Sequence, residues 1–268
     1  DWVRQQEIGF VENKGQIADQ NGKSVPGVFF TASLEGVDIY ITGEGLTYVF
    51  SEGEREETKN RNEKELLSGI REQKSLIRCY SVDMKLVGAQ INRENIQMAG
   101  TMAGHYNYYL NHCPEGILNV HEYKIITIGE IYPGIDWVLY GNHKKGFKYD
   151  FVVHPGADPG EIRMRYAGGE VTELENGKKL RITTPLGTLE EGAVVSYIKE
   201  AQGEKVSTQY RMEGNEIRFE VGAYDSRQTL IIDPPMGLVW STCYGWSNHD
   251  GPRAITIDNS GNICITGY

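Results

Sequence analysis

Residues 161–233 constrain the fold more than any other part of the chain. They fall into short runs separated by turn dipeptides: IRMRYA, EVTEL and KKLRITT, then VVSYIKEA, EKVSTQYRM and EIRFEVG. Asn176-Gly177 and Gly214-Asn215 interrupt these runs. Tight hairpin turns need positive φ, which Gly and Asn tolerate. In EIRFEVG, Ile217, Phe219 and Val221 alternate with Arg218 and Glu220. In KKLRITT, Leu180 and Ile182 alternate with Arg181 and Thr183. A period of two is the signature of a strand with one buried face, and a slip of one residue would expose the whole apolar set. The N-terminal third repeats the scheme. VFFTA, VDIYIT and LTYVFS are joined by Gly-containing turns and read as a β-meander. Short strands with regular turn signals predict an antiparallel all-β protein.

Other features narrow the class further. The chain shows no βαβ alternation and no glycine-rich phosphate loop, which argues against a nucleotide-dependent α/β enzyme. A net charge of −10 disfavours nucleic acid and anionic lipid as partners. No apolar run reaches the length of a membrane helix, so no membrane insertion is expected. The first residue is Asp and no apolar leader core follows it. Either a leader has been removed or a longer chain precedes this one. The stretch 52–75 is dense in charge, with Leu66, Leu67 and Ile70 as its apolar residues. It reads as a solvated insertion, with a short helix near 63–73 as the alternative.

The end of the chain, VWSTCYGWSNHDGPRAITIDNSGNICITGY, resembles the SBBP type of bacterial β-propeller repeat. The pieces that carry the resemblance are Trp240-Ser241-Thr242, Asp250-Gly251, Ile255-Thr256-Ile257-Asp258, Ser260-Gly261-Asn262 and Ile265-Thr266-Gly267. Cys243-Tyr244-Gly245-Trp246 and Cys264 depart from the pattern. The preceding 235 residues resemble the uncharacterised domain that stands before such repeats in exported bacterial surface proteins. FVENKGQ at 10–16, YPGIDWVLYG at 132–141, YDFVVHPGADPGEIRMRY at 149–166 and YDSRQTLIIDPP at 224–235 carry this likeness. The resemblance implies a Bacteroidetes-like source, export to the cell surface by type IX secretion, and a downstream propeller. It supplies no catalytic residues.

Together these readings predict two antiparallel β-sandwich-like domains, 1–115 with the insertion and 116–235, followed by a partial propeller-blade hairpin at 236–268. Pro234-Pro235 reads as the linker before that hairpin. Ile255, Ile257, Ile263 and Ile265 are expected to be partly buried against the preceding domain, because a lone hairpin is marginal in water.

Three functions are open: a non-catalytic adhesion or protein- or glycan-binding module that orients the propeller, a structural cap, and a glycan-acting enzyme or accessory unit. Trp137, Trp240, Trp246 and Tyr140 are the binding candidates, since aromatic faces stack on sugars and anchor protein contacts. Core packing is the competing role for each. Asp258, Ser260 and Asn262 have the oxygen spacing of a calcium loop, against a simple polar turn. His105, His112, Cys113 and His121 offer zinc-type donors without a metal-site spacing. Asp136, Asp150, Asp158, Glu161, Asp225 and Asp233 stand at turns, where two converging carboxylates would be needed for glycoside chemistry. Cys79, Cys113, Cys243 and Cys264 form no CxxC, so free thiols are expected, with a disulfide left open.

Overall fold

The computed structural model describes residues 8–19, 21–34, 37–55, 75–142, 146–201, 203–239, 252–257 and 263–267. Among them the protein is all-β and antiparallel, with only two single-turn 3-10 helices, Arg93–Asn95 and Pro159–Glu161. No helix among the described residues is long and apolar enough to cross a membrane.

The main sheet has fifteen strands. From the N-terminus they are β1 (Phe10–Glu12), β2 (Val28–Leu34), β3 (Val37–Thr42), β4 (Gly45–Arg55), β5 (Ser75–Leu86) and β6 (Ile96–Thr101). After a separate two-stranded hairpin, β7 (Tyr106–Leu110) with β8 (Cys113–Val120), come β9 (Glu122–Tyr132), β10 (Ile135–Asn142), β11 (Gly146–Val153) and β12 (Arg163–Ala167). A second sheet of four strands holds β13 (Glu170–Leu174), β14 (Lys179–Thr184), β15 (Gly187–Glu191) and β21 (Met236–Val239). The main sheet is completed by β16 (Val195–Ile198), β17 (Glu204–Val206), β18 (Thr208–Glu213), β19 (Glu216–Val221) and β20 (Leu230–Asp233). The final hairpin pairs β22 (Pro252–Ile257) with β23 (Ile263–Gly267), placing Ile255 opposite Ile265 and Ile257 opposite Ile263.

The order of the main sheet is β17-β16-β20-β11-β10-β9-β1-β2-β3-β4-β5-β12-β19-β18, with β6 also on β9. Its two ends, β17 and β18, are separated in sequence by Ser207 alone. The sheet therefore curls until its ends nearly meet, giving a barrel-like form. Alternation explains the interior: Val37, Ile39 and Ile41 of β3, Leu139 and Trp137 of β10, and Phe151 and Tyr149 of β11 all point into one core.

The second sheet packs on the inner side of this curl. Leu180, Ile182, Leu189 and Met236 join the same core as Tyr48, Phe50 and Val82 of the main sheet. The contact is polar at one point. Glu191 of β15 is buried, and its Oε1 accepts hydrogen bonds from Tyr149 (2.7 Å) and Tyr166 (2.5 Å). Tyr149 is in β11 and Tyr166 in β12, eight steps apart in the strand order. In a flat sheet that separation would be about 38 Å, at about 4.8 Å per strand. One carboxyl receiving both hydroxyls is possible only because the sheet closes around it. Tyr210 also places its hydroxyl beside this carboxyl, and the Tyr48 hydroxyl meets Met236 Sδ at 3.5 Å. Burial drives the Glu191 carboxyl above its ordinary pKa, and the tyrosine hydroxyls offset part of that rise.

Three sequence expectations meet a different arrangement. The two regions expected to separate near residue 115 share a sheet: β1 pairs with β9, and β5 pairs with β12. The apolar faces on either side of that point bury against one another in one core. Pro234-Pro235 is not followed by a free linker. The chain leaves β20 in the main sheet, crosses at the two prolines, and re-enters as β21 beside β15. Of the charged stretch 52–75, residues 52–55 and 75 extend β4 and β5, with Arg55 opposite Ser75. The remainder, including the helix considered at 63–73, lies outside the described residues, as do the side chains of Ile255, Ile257, Ile263 and Ile265.

The Asn176-Gly177 turn is as read. Glu175, Asn176 and Gly177 have φ of +54°, +56° and +81°. A Cβ on Gly177 would collide with the Tyr210 carbonyl oxygen, and the Gly177 carbonyl accepts a hydrogen bond from the Tyr210 backbone N–H at 2.7 Å. Gly177→Ala is expected to cost about 1–3 kcal/mol through strained backbone and this clash, read as a lower urea midpoint at unchanged slope.

Glu191→Ala should cost about 3 kcal/mol, because it strands buried tyrosine hydroxyls; Glu191→Gln should cost less. The pH dependence has a defined sign. The folded state keeps the Glu191 proton above pH 4.5, where the unfolded chain has lost it. Its contribution is therefore fully present below about pH 4.5 and is lost as pH rises through the folded pKa. Urea titrations across that range should show this decline in the natural protein and not in Glu191→Gln.

Candidate functional site

The side chains singled out in the sequence are dispersed. Trp137 is 0% exposed. Alternation along β10 turns it inward, where its ring lies nearly parallel to Phe151 and edge-on to Tyr149. It is core and offers no face to a ligand. Tyr140 points to the other side of β10, half-buried, and donates to Asp150 Oδ1 at 3.1 Å. Trp240, Trp246, Asp258, Ser260, Asn262 and Cys243 lie outside the described residues, and so does the Cys264 side chain. Cys79 is exposed and Cys113 half-buried, both as free thiols.

The zinc-type donors do not converge. His105 and His121 meet edge to face at 6.2 Å, while His112 Nε2 is bonded to the Gly15 carbonyl at 3.2 Å. No group of three metal-type ligands occurs among the described residues.

The turn carboxylates have local partners. Asp136 accepts from the Glu130 backbone N–H at 2.8 Å and pairs with His154 Nε2 at 2.8 Å. Asp158 caps the Pro159–Glu161 turn through the Gly160 N–H. Asp225 is held down to a pKa of about 2 by hydrogen bonds from the Arg227 side chain and backbone.

Two carboxylates do come together. Asp150 on β11 and Asp233 on β20 fall one step beyond the paired Phe151 and Ile232. Burial, followed by the charge of Asp233, pushes Asp150 up to about 6, while the Tyr140 hydroxyl and Lys148 pull it down. This pair is not arranged for a sugar. Lys148 is 2% exposed and its Nζ is in direct contact with Asp233 Oδ1, while the Tyr140 hydroxyl occupies Asp150. The carboxylates are engaged with a lysine and a tyrosine hydroxyl. A cleft of about 450 Å³ lies elsewhere, between Val25–Val28, the β3–β4 turn and β5. Its carboxylates are engaged as well, Glu44 with Lys85 (2.6 Å) and Asp83 with the Thr47 hydroxyl (2.6 Å).

The most open chemistry is on the surface. Of the seven large apolar side chains exposed among the described residues, six fall between Met98 and Ile125. Tyr109 is 68% and Leu118 48% exposed, with Tyr106 and Leu110 on the same β7–β8 hairpin, while Met98 and Ile125 lie on opposite faces of the β6–β9 pair. The hairpin lies against the body through Tyr106, whose hydroxyl donates to Glu122 Oε2 at 3.0 Å. The Tyr109 ring covers Gly116, where φ is +88° and no side chain would fit beneath it. Sequence reasoning favoured tryptophans and passed over this hairpin. The available signal was YNYYL in β7, where tyrosines break the alternation expected of a strand with one buried face.

Fold and surface define an all-β protein with a nearly closed antiparallel sheet, an inner second sheet and an exposed tyrosine-bearing hairpin. Residues 10–235 match a family described as a domain of unknown function, DUF7948, and the chain belongs to that family. Among curated proteins and among solved structures, nothing matches the chain.

Proposed function

We propose that the chain is a non-catalytic binding module of an exported or cell-surface protein, which contacts a protein or glycan through the β7–β8 hairpin. The observation that carries this reading is the concentration of exposed side chains on one hairpin: Tyr106, Tyr109, Leu110 and Leu118. Monomeric proteins rarely expose such groups together without using them. Tyrosine anchors beside aliphatic side chains suit a protein partner better than a sugar, since sugars need more polar groups around the ring. In this reading the Pro252–Gly267 hairpin opens the first propeller-type repeat, and the body before it sets the orientation of that propeller. Blade geometry, export by type IX secretion and a Bacteroidetes-like setting belong to the same proposal, on the motifs of residues 240–267. A calcium ion at Asp258, Ser260 and Asn262 is not required by it.

A cap for the propeller edge is the second reading. It is supported by the course of β21, which is built into the inner sheet immediately before the repeat begins.

The test is a binding screen of the full chain on immobilised extracellular proteins and glycans, with Tyr109→Ser/Leu118→Ser as the comparison. These exposed positions should leave the urea midpoint unchanged and weaken a protein contact about ten-fold or more. Binding that survives the double substitution would remove this surface from the proposal. Absence of binding by the natural chain would favour the cap.

A further inference from the structure

The cluster on the outer side of β11 and β20 has no part in the proposed binding. Period-two alternation puts Lys148 and Asp150 on the same side of β11, away from Phe147, Tyr149 and Phe151. That side ordinarily faces water, and yet Lys148 is nearly fully buried. Its amine touches Asp233 of β20, and Tyr140, directly opposite Lys148 in the ladder, bonds Asp150. Asp233 lies opposite Val195 of β16, and Tyr197 of that strand stands beside both carboxylates.

Burying an ammonium and a carboxylate is costly, and their attraction often fails to offset the loss of hydration. A chemical route exists that removes both charges. We propose that Lys148 and Asp233 condense to an intramolecular isopeptide bond, with Asp150 as the proton carrier.

The step balances without a co-reactant. In the first step Lys148 passes one proton to the Asp233 carboxylate in contact with it, leaving an amine and a carboxylic acid. Nζ then attacks Asp233 Cγ and the N–Cγ bond forms. Protonated Asp150 donates to the carbonyl oxygen of Asp233 and takes a proton from the nitrogen. Collapse breaks one Cγ–O bond while Asp150 gives a proton to the departing hydroxyl and takes one from the remaining hydroxyl, so that water leaves and the amide carbonyl forms. The products are a secondary amide, one water and Asp150 with its proton restored. Asp150 is suited to this role, since its folded pKa of about 6 lets it hold or release a proton near neutrality. Amine and carboxyl are held by paired strands rather than loops, and such preorganisation is worth an effective concentration of roughly 10⁵–10⁸ M in well-oriented reactions. The link would tie β11 to β20, the last strand before the chain crosses at Pro234-Pro235.

Intact-mass spectrometry of the purified full chain tests this. The expected mass is lower than that of the sequence by one water. Trypsin should fail to cut after Lys148 and yield residues 146–163 joined to residues 228–253. Lys148→Arg and Asp233→Asn/Lys148→Arg should have their full sequence mass, and Asp150→Asn should form the link more slowly or not at all. The full sequence mass in the natural protein, after prolonged incubation in the folded state, would overturn the proposal whatever the variants do. So would a water loss that maps within a single peptide, as a cyclic imide at an aspartate would give. Unchanged link formation in Asp150→Asn would overturn the role assigned to Asp150.

Discussion

The closed form of this protein depends on Glu191 and the hydroxyls gathered around it. Tyr149 and Tyr166 come from distant places in the strand order and donate to the same oxygen. A carboxyl in an apolar interior is expensive unless its oxygens are hydrogen-bonded. Two tyrosines supply such bonds to Oε1 while burying large rings, so one side chain brings both hydrophobic area and a hydrogen bond. Because the carboxyl is carried by β15, the same bonds seat the inner sheet against the curled one. Apolar burial drives the assembly, but it is non-directional. The hydrogen bonds to Glu191 specify which parts of the sheet meet.

The chain uses tyrosine in two opposite ways. Tyr48, Tyr149 and Tyr210 are buried with their hydroxyls at or near Glu191 or Met236. Tyr106 and Tyr109 are held out on a hairpin whose strands are shifted by irregularities at both ends of the Tyr108–Ile117 pairing. A two-stranded hairpin has too little inner face to bury all its rings. What it cannot bury stays exposed. The outer face of β11 is a third environment, polar by alternation and buried in fact. There Lys148 is buried, Asp150 and Asp233 are half-buried, and these ionisable groups lie against one another.

Much of the architecture was legible from local pattern. VDIYIT became β3 with Val37, Ile39 and Ile41 buried, and the Asn176-Gly177 turn has the positive φ that its residues allow. Ile217 and Phe219 are buried between the half-exposed Arg218 and the exposed Glu220, as their spacing demands. The candidate site was less legible. Trp137 was a reasonable aromatic to consider, and its inward orientation follows from the same alternation once β10 is known to have a buried face. The exposure of Tyr109 and Leu118 could not be read in this way, because it depends on which neighbours the hairpin lacks.

Side-chain periodicity is a property of each strand, so the residues alone determined the all-β class, the turns, and which side chains share a face. Which strands become neighbours is a property of the whole chain. Nothing local to β1, β5, β9 and β12 says that β1 joins β9 and β5 joins β12, and from those pairings the single curled sheet follows. The gathering of Tyr149 and Tyr166 on Glu191, and of Lys148 and Asp233 across β11 and β20, was likewise decided by tertiary closure. Each requires side chains far apart in sequence to be brought within bonding distance, and only the burial of a shared core places them there.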